Sequence, residues 1–319
     1  MKITWIAIAT FALLASGTLM FVAGARAVPA AQGDASAPTS PVAAASQNAP
    51  FPKPAVFVPP ADADIPNTPF GDEVKFGREI FNETGTAARR FVGNSLRCAS
   101  CHLDGGRLAN SAPMWAAYVS YPAYRSKNEH VNTFAERLQG CFSYSMNGRA
   151  PPLGDKVLVA LESYAYFLAK GAPTGVSMPG HGYPTPAKPA LAPDYARGHA
   201  VFEQKCALCH GADGQGQVAQ GATVFPPLWG PRSFNWGAGM VVVKNAAGFI
   251  QANMPLSQGN SLTDQEAWDV ATFMDSQERP QDPRFNGSVI ETQKKFHGPD
   301  DMYGRTVNGI VLGSLALKK

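Results

Sequence analysis

Two short cysteine-histidine motifs constrain this chain of 319 residues more than any other feature. The sequence C-A-S-C-H occupies residues 98–102, and C-A-L-C-H occupies residues 206–210. In such a motif the two thiols bind the vinyl groups of a haem covalently, and the adjacent imidazole ligates the iron. A single copy would leave a redox dithiol or half of a zinc site open, but two copies in matching surroundings predict two covalently bound haem c groups. The predicted haem-binding residues are Cys98, Cys101 and His102, and Cys206, Cys209 and His210.

The surroundings of the two motifs repeat. A Gly-x-x-x-Phe segment precedes each motif, at residues 77–81 and 198–202, and a segment of helical periodicity follows each, at residues 155–170 and 263–277. The second of these closing segments starts with a Thr-x-x-Glu capping box, which is typical of a helix N-terminus. The same order of features occurring twice indicates two similar domains.

The repeat predicts a mostly α chain with two cytochrome c-like helical domains, each around one covalently bound haem c. We expect these domains at residues 67–175 and 176–280, after an irregular Ala-, Pro- and Ser-rich linker at residues 28–66. A hydrophobic content of 45% is enough to form both cores. The remaining residues, 281–319, show no clear period, so we expect a tail that wraps over the surface.

The repeat is imperfect just before the first motif. Seventeen positions separate Phe81 from Cys98, whereas four separate Phe202 from Cys206. Inserted loops near a cofactor often build a binding site, although a tolerated surface insertion explains the same length difference.

The N-terminus has the features of an export signal. Lys2 is followed by a mostly apolar stretch, residues 3–23, and by small residues that favour cleavage after Ala27. The alternative to a signal peptide of residues 1–27 is a retained membrane tether through residues 3–23, since the stretch is just long enough to cross a bilayer. Both interpretations place the folded part outside the cytoplasm, in the periplasm.

Charge gives little indication of a partner. The chain has 27 basic and 24 acidic residues, and charged residues make up only 16% of it. Because no basic stripe is present, DNA and RNA are excluded as expected partners.

Each haem needs a second axial ligand, and its identity sets the role of the haem. For the second haem we predict Met254, which lies in an Asn-Met-Pro sequence shortly before the closing helical segment. A thioether ligand raises the haem potential and suits electron transfer. Met240 is the rival candidate, and either methionine could instead only pack in the core.

The first haem has a different candidate ligand, since four of the five cysteines attach haem and Cys141 has no disulfide partner in the chain. A free thiol outside the cytoplasm is exposed to oxidation, so its presence needs an explanation. Cys141 lies 39 residues after His102, against 44 from His210 to Met254. Aligning the closing segments by Phe167 and Phe273, however, places Met254 opposite residue 148, which is nearer Met146. Spacing therefore leaves Cys141 and Met146 both open.

The sequence around Cys141 resembles the dihaem thiosulfate dehydrogenases that form tetrathionate. The resemblance runs from about residue 70 to the C-terminus and includes R-L-Q-G-C-F at residues 137–142 and S-M-N-G at residues 145–148. It further includes Tyr124-Arg125, Asn253-Met254-Pro255, Asp282-Pro283-Arg284-Phe285 and Val307-Asn308-Gly309. The resemblance implies that Cys141 is the distal ligand of a catalytic first haem, with Arg125, Arg137 and Ser145 around the substrate.

The resemblance also implies a reaction, the oxidation of two thiosulfate ions to tetrathionate. Electrons would leave through the second haem, ligated by His210 and Met254, to an external acceptor such as a small c-type cytochrome. Some members have a lysine beside this methionine, whereas this chain has Asn253, so ligand exchange with lysine is not expected here. The reverse reaction, tetrathionate reduction, uses the same residues.

A dihaem carrier without enzymatic activity is the competing hypothesis, and it leaves Cys141 unexplained. A dihaem peroxidase would need an open iron position, to which nothing in the sequence points.

Overall fold

A computed structural model describes residues 55–126 and 128–315, which all belong to one unit, Lys53–Lys319. The predicted signal peptide, the alternative tether and most of the predicted linker lie outside the described residues. Within the described ranges, no helix combines the length and the apolar character that crossing a membrane requires.

The described chain is mostly helical, as predicted. Its α-helices are α1 (Pro69–Asn82), α2 (Thr84–Ala87), α3 (Leu103–Gly106), α4 (Met114–Val119), α5 (Phe134–Gly140), α6 (Lys156–Leu168), α7 (Tyr195–Lys205), α8 (Ala207–His210), α9 (Val243–Asn253), α10 (Asp264–Asp275) and α11 (Val289–Phe296). Its strands form three antiparallel hairpins: β1 (Ala123–Arg125) with β2 (His130–Asn132), β3 (Gln217–Ala219) with β4 (Ala222–Phe225), and β5 (Thr306–Val307) with β6 (Ile310–Val311). A π-helical turn, Cys141–Ser145, and short 3₁₀ turns at Asp62–Asp64, Arg89–Phe91, Cys98–Ser100 and Gly239–Val241 complete the secondary structure.

The two halves contain the same helix pair, in which a Gly-x-x-x-Phe helix crosses a closing helix at its glycine. In the first half α1 crosses α6, and a Cβ on Gly77 would lie 2.0 Å from the Ala160 carbonyl oxygen. In the second half α7 crosses α10, and a Cβ on Gly198 would lie 2.0 Å from the Asp269 carbonyl oxygen. Only glycine permits this approach of the two backbones, so the sequence repeat corresponds to a structural one.

Local sequence signals explain where the closing helices begin. The Asp155 carboxylate accepts a hydrogen bond from the Val157 amide at the start of α6. At the start of α10, Thr263 and Glu266 form the predicted capping box, with each side chain accepting from the other residue's amide. These bonds satisfy amides that a helix leaves without partners in its first turn.

Two clusters of buried apolar side chains follow the repeat. The first includes Ile80, Trp115 and Leu158, and the second includes Phe202 and Val270. Both form where a Gly-x-x-x-Phe helix meets its closing helix, which leaves the two haem-binding motifs beside the cores.

The segment after Pro280 does more than cover the surface. It folds into α11 and the β5–β6 hairpin, and it inserts Tyr303 and Leu312, which are 0% and 2% exposed, into the first core cluster. Residues 233–241, from the second half of the chain, contribute Phe234 and Trp236 to the same cluster. The first cluster is therefore assembled from three distant parts of the sequence.

Candidate functional site

A cavity of about 360 Å³ lies beside the first motif and brings together every predicted residue of the first site. A pocket of this volume can hold a large part of a flat prosthetic group. The predicted residues that line it are Cys98, Cys101, His102, Arg125, Arg137, Cys141, Ser145 and Met146.

His102 is oriented as a metal ligand. Its Nδ1–H donates to the Ala112 carbonyl at 2.7 Å, which leaves Nε2 free for a metal. Burial lowers the His102 pKa to about 4, so the imidazole is neutral at physiological pH. A neutral ring with a free Nε2 is the form that binds haem iron.

A second cavity, of about 290 Å³, repeats this arrangement at the second motif. It is lined by Cys206, Cys209, His210 and Met254 among mostly apolar neighbours. The His210 Nδ1–H donates to the Pro226 carbonyl at 2.9 Å, and burial lowers its pKa. Two thiols, a neutral imidazole and an apolar wall fit haem c at both sites.

The cysteine of the first cavity lies in a π-helical turn that follows α5 directly. Thr133 and Glu136 start α5 with a capping box, and the helix continues without a break into Cys141–Ser145. A π turn accommodates an extra residue and frequently occurs at functional sites. We call residues 141–148 the thiolate loop.

Arg137 contacts the Cys141 sulfur from one helical turn earlier. Its Nη1 donates to Sγ at 3.1 Å, and the guanidinium pKa is raised, chiefly by the electrostatic effect of Cys141. Burial, with a smaller electrostatic effect of Cys141, raises the pKa values of Cys98 and Cys101 to about 12. Cys141 therefore lies within electrostatic range of the haem-attachment thiols and is itself held by a cation.

The insertion before the first motif braces the thiolate loop. The Gly93 amide donates to the Met146 carbonyl at 2.9 Å, and Asn94 Nδ2 donates to the Ser145 carbonyl at 2.8 Å. The Phe91 ring packs edge-on against Phe142, with their centroids 6.0 Å apart. Of the two interpretations of the insertion, the structure therefore favours the one in which it helps to build the site.

In the structure the two closing helices align with an offset that differs from the one taken from the sequence by three residues, nearly one helical turn. The contacts at the paired glycines match Ala160 with Asp269 and Tyr164 with Phe273, an offset of 109 residues. The offset taken from Phe167 and Phe273 was therefore wrong, because successive aromatic residues on one helical stripe are indistinguishable by period alone.

The corrected offset places Met254 opposite Ser145, one residue from Met146 and four from Cys141, so the register still lies nearer Met146. Both Cys141 and Met146 line the cavity, and Met146 is 3% exposed within the first core cluster. The hydrogen bond from Arg137 instead distinguishes Cys141, since a guanidinium donor would stabilise a thiolate ligand.

The two methionines considered for the second haem lie in different places. Met254 lines only the second cavity and directly follows α9, whereas Met240 lines both cavities. Five residues line both cavities, so only a thin wall of side chains separates them: Leu96, Arg97, Cys101, Phe234 and Met240.

Arg125 and Tyr183 also line the first cavity. Arg125 is exposed on β1 and pairs in register with His130 of β2. Tyr183 comes from the Pro- and Gly-rich connection between the halves, and burial raises its pKa well above the ordinary value. The sequence offered no signal for Tyr183, because the connection has neither a period nor a motif. It adds a neutral hydroxyl to the site.

Comparison with known proteins finds two family models that match successive parts of the chain. Residues 78–174 match the family "SoxA/TsdA, cytochrome c domain", and residues 193–274 match "Cytochrome C oxidase, cbb3-type, subunit III". Two cytochrome c domains confirm the predicted fold class and imply haem c.

Relatives with the same printed function match over most of the chain. A thiosulfate dehydrogenase of Thiomonas intermedia (strain K12) is 56% identical over 311 residues, which are 97% of each protein. A thiosulfate dehydrogenase of Stutzerimonas stutzeri (strain A1501) is 52% identical over 81% of this chain and 85% of that protein.

A solved structure is also similar. The thiosulfate dehydrogenase TsdBA of Marichromatium purpuratum, in its as-isolated form, aligns with a TM-score of 0.78 and 52% identity. The alignment covers 81% of this chain and 57% of that one. On the identity and coverage of these relatives, the chain belongs to the thiosulfate dehydrogenase family of c-type cytochromes.

Proposed function

We propose that this protein oxidises two thiosulfate ions to one tetrathionate ion and two electrons at the first cavity. Both C-x-x-C-H motifs would hold haem c, with His102 and Cys141 as the residues that would bind the first iron and His210 and Met254 as those that would bind the second. The observation that carries the proposal is the Arg137–Cys141 hydrogen bond of 3.1 Å inside the cavity that also holds His102.

The first haem would supply an electron acceptor at the substrate site, and the second would supply a route to an external acceptor such as a small c-type cytochrome. The thin wall that includes Leu96, Phe234 and Met240 supports this division of labour, because no large body of protein separates the cavities. A thiolate ligand lowers the potential of a haem relative to a thioether ligand, so transfer in this order is downhill.

The residues around the first cavity counteract the charge of the substrates. Two dianions about 5 Å apart repel each other by about 3 kcal/mol in water, and by about 13 kcal/mol at an effective dielectric constant of about 20. Arg125 and Arg137 in the cavity wall supply positive charge, and Ser145 supplies a hydroxyl. Guanidinium groups suit this task because their planar donors bind oxyanions in pairs.

Cys141 supplies the reacting sulfur. Its thiolate bonds to the terminal sulfur of one thiosulfate with loss of two electrons, which gives a Cys141–S–S–SO₃⁻ adduct. The terminal sulfur of a second thiosulfate then attacks that adduct, releases tetrathionate and regenerates the thiolate. Charge and atoms balance, and the external acceptor takes up the two electrons. Arg137 stabilises the thiolate at the start and the end of this sequence.

Met254 is favoured at the second site by the contacts of its neighbour. Asn253 is buried, and its Nδ2 donates to the carbonyls of Phe249 at 2.9 Å and Asn110 at 3.1 Å. Its amide is thus engaged by backbone and, unlike a lysine at this position, supplies no amine to exchange with the thioether.

Export to the periplasm is part of the proposal, with residues 1–27 as a signal peptide or residues 3–23 as a tether. Covalent haem attachment fits an exported protein. N-terminal sequencing of the mature protein tests this, since a start at Val28 indicates cleavage and an intact terminus indicates a tether.

The decisive experiment is turnover of purified dihaem protein with thiosulfate and ferricyanide, compared with the Cys141→Ala variant. We expect the variant to retain both haems and to lose at least 100-fold of the activity, about 2.7 kcal/mol in the barrier. A variant with both haems and the wild-type rate would refute the proposed role, and wild-type protein without turnover would favour a plain electron carrier. Repeating the assay with tetrathionate and a reduced dye determines the direction.

A further inference from the structure

The segment after Pro280 contains charged side chains that the proposed reaction does not use. The side chains of Asp282, His297 and Asp301 are 0%, 1% and 5% exposed, and that of Arg284 is 15% exposed. Burying four charged or titratable groups is unfavourable unless each is paired. The presence of all four groups in one buried cluster therefore needs an explanation, namely which part of the structure they hold in place.

These residues form one continuous network. Arg284 binds Asp282 through two bonds, from Nε to Oδ1 at 2.9 Å and from Nη2 to Oδ2 at 2.5 Å. His297 donates from Nε2 to Asp282 at 3.1 Å and from Nδ1 to Asp301 at 2.6 Å. The His297 ring stacks on Tyr303, with centroids 4.2 Å apart and an interplanar angle of 14°. We call these five residues the tail network.

The network fixes the direction of the Arg284 guanidinium. Its two bonds to Asp282 hold the plane of the group, and Asp282 is itself held by His297. The guanidinium carbon lies 5.1 Å from the centroid of Tyr144 and 4.3 Å from that of Phe296. Tyr144 belongs to the thiolate loop, three residues after Cys141, so the tail reaches the loop directly.

Tyr144 is held on its other sides by a segment of the second half. A Cβ on Gly237 would lie 2.4 Å from the Tyr144 ring, so the ring lies directly on this backbone. The Asn235 amide donates to the Tyr144 carbonyl at 3.2 Å, and Asn235 Nδ2 donates to the Ser143 carbonyl at 2.9 Å. Arg284 thus closes a clamp around the π-helical turn that carries the sulfur.

We propose that Arg284 is a positioning residue for Cys141, which through Tyr144 holds the π-helical turn in the form that presents the sulfur to the cavity and to Arg137. The inference rests on the proposed function in assuming that Cys141 ligates the first haem. Arg284 touches neither the haem-binding motif nor the predicted substrate residues, so its effect on the reaction is indirect.

The test compares Arg284→Met with Arg305→Met in oxidised dihaem protein. Arg305 is an exposed arginine of the same tail whose Nε donates to the Asp301 carbonyl at 2.9 Å, and its guanidinium is directed at tail backbone. Electron paramagnetic resonance reports the ligation of each haem, and the thiosulfate assay reports kcat and KM separately.

For Arg284→Met we expect the thiolate-haem signal to split into more than one low-spin species and kcat to fall about 2- to 30-fold. In Arg284→Met the signal of the second haem should match wild type. In the control Arg305→Met both signals and kcat should match wild type. Tyr144→Leu leaves the tail network intact and should show the same split signal and the same fall in kcat. If Arg284→Met does not fold, Tyr144→Leu takes its place in the test.

A single wild-type signal and wild-type kcat in Arg284→Met or its replacement would overturn the inference, even if the melting temperature falls. Wild-type protein without a thiolate-haem signal would instead overturn the proposed function, and the inference with it. The two failures are therefore distinguishable.

Discussion

Replacing Arg137 by glutamine tests whether the contact with Cys141 matters for the reaction. In the native protein Nη1 donates to Sγ at 3.1 Å within a partly buried cavity wall. The substitution removes the charge and retains a polar side chain of similar shape near the backbone. The sulfur then loses its charged hydrogen-bond donor, whereas the sequences of the haem-binding motif and the thiolate loop are unchanged.

The size of the effect follows from the kind of bond that is lost. A hydrogen bond to a charged group contributes about 1.5 to 3 kcal/mol, which corresponds to about a 10- to 150-fold decrease in kcat/KM. Arg137→Lys retains the charge without the planar fork, so we expect a smaller loss, of about 10-fold or less. Arg125→Gln serves as the exposed control, and because solvent screens an exposed charge its loss should stay below about 5-fold.

The assay is steady-state oxidation of thiosulfate by ferricyanide, normalised to covalently bound haem per chain. Haem content must be equal in all variants, since a loss of haem would mimic a loss of activity. An Arg137→Gln protein with full haem content and wild-type kcat/KM would refute the idea that Arg137 stabilises the reacting thiolate.

Three further outcomes follow from the structure. Met254→His should lower the second haem's potential by on the order of 100 mV and leave the first unchanged, as measured by redox titration. Burial opposes protonation of His297, but its two carboxylate partners raise its pKa above the ordinary value of 6.5 in the folded protein. The stability that the charged ring contributes is therefore present below pH 6.5 and is lost as the pH rises through the pKa of the folded state. Thermal unfolding should therefore show a decline over that range that His297→Phe lacks. Gly77→Ala, whose Cβ would lie 2.0 Å from the Ala160 carbonyl, should cost about 1 to 3 kcal/mol in denaturant unfolding, whereas Gly85→Ala meets nothing within 4 Å and should not destabilise the protein.

The features predicted well were those with a period or a fixed spacing. The repeated order of a Gly-x-x-x-Phe segment and a closing segment corresponds to two like helix pairs, although the crossings at Gly77 and Gly198 were seen only in the structure. The capping box at Thr263 set the start of α10 within one residue. The motifs, their spacing and the capping box each depend on neighbours within a few residues, so the sequence contains them completely.

The features that escaped prediction depend on distant contacts. The aromatic stripe of a closing helix repeats every turn, so Phe167 and Tyr164 were equally good partners for Phe273 until the backbone crossing was known. Tyr183 and Arg284 reach the first site from irregular segments, far from Cys141 in sequence. The resemblance marked the segment that contains Arg284 but not its contact with Tyr144, and nothing marked Tyr183, since the burial and partners of both residues arise only from the folded chain.

The thiolate loop contains features that the sequence predicted and features that it did not. The sequence identified Cys141 as the unpaired fifth cysteine, and the four-residue spacing from Arg137 is a helical one. The loop's bracing by the insertion and by the tail network was not foreseen. Chemistry-bearing residue types were thus identifiable from the sequence, whereas the residues that position them were not.

The central claim, that Cys141 ligates the first haem and acts there on thiosulfate, is tested most directly by electron paramagnetic resonance of the oxidised dihaem protein. We predict one low-spin signal of histidine/thiolate ligation and one of histidine/methionine ligation. In Cys141→Ala only the thiolate signal should disappear, together with thiosulfate oxidation. A wild-type spectrum with two histidine/methionine signals, unchanged by that substitution, would contradict the account.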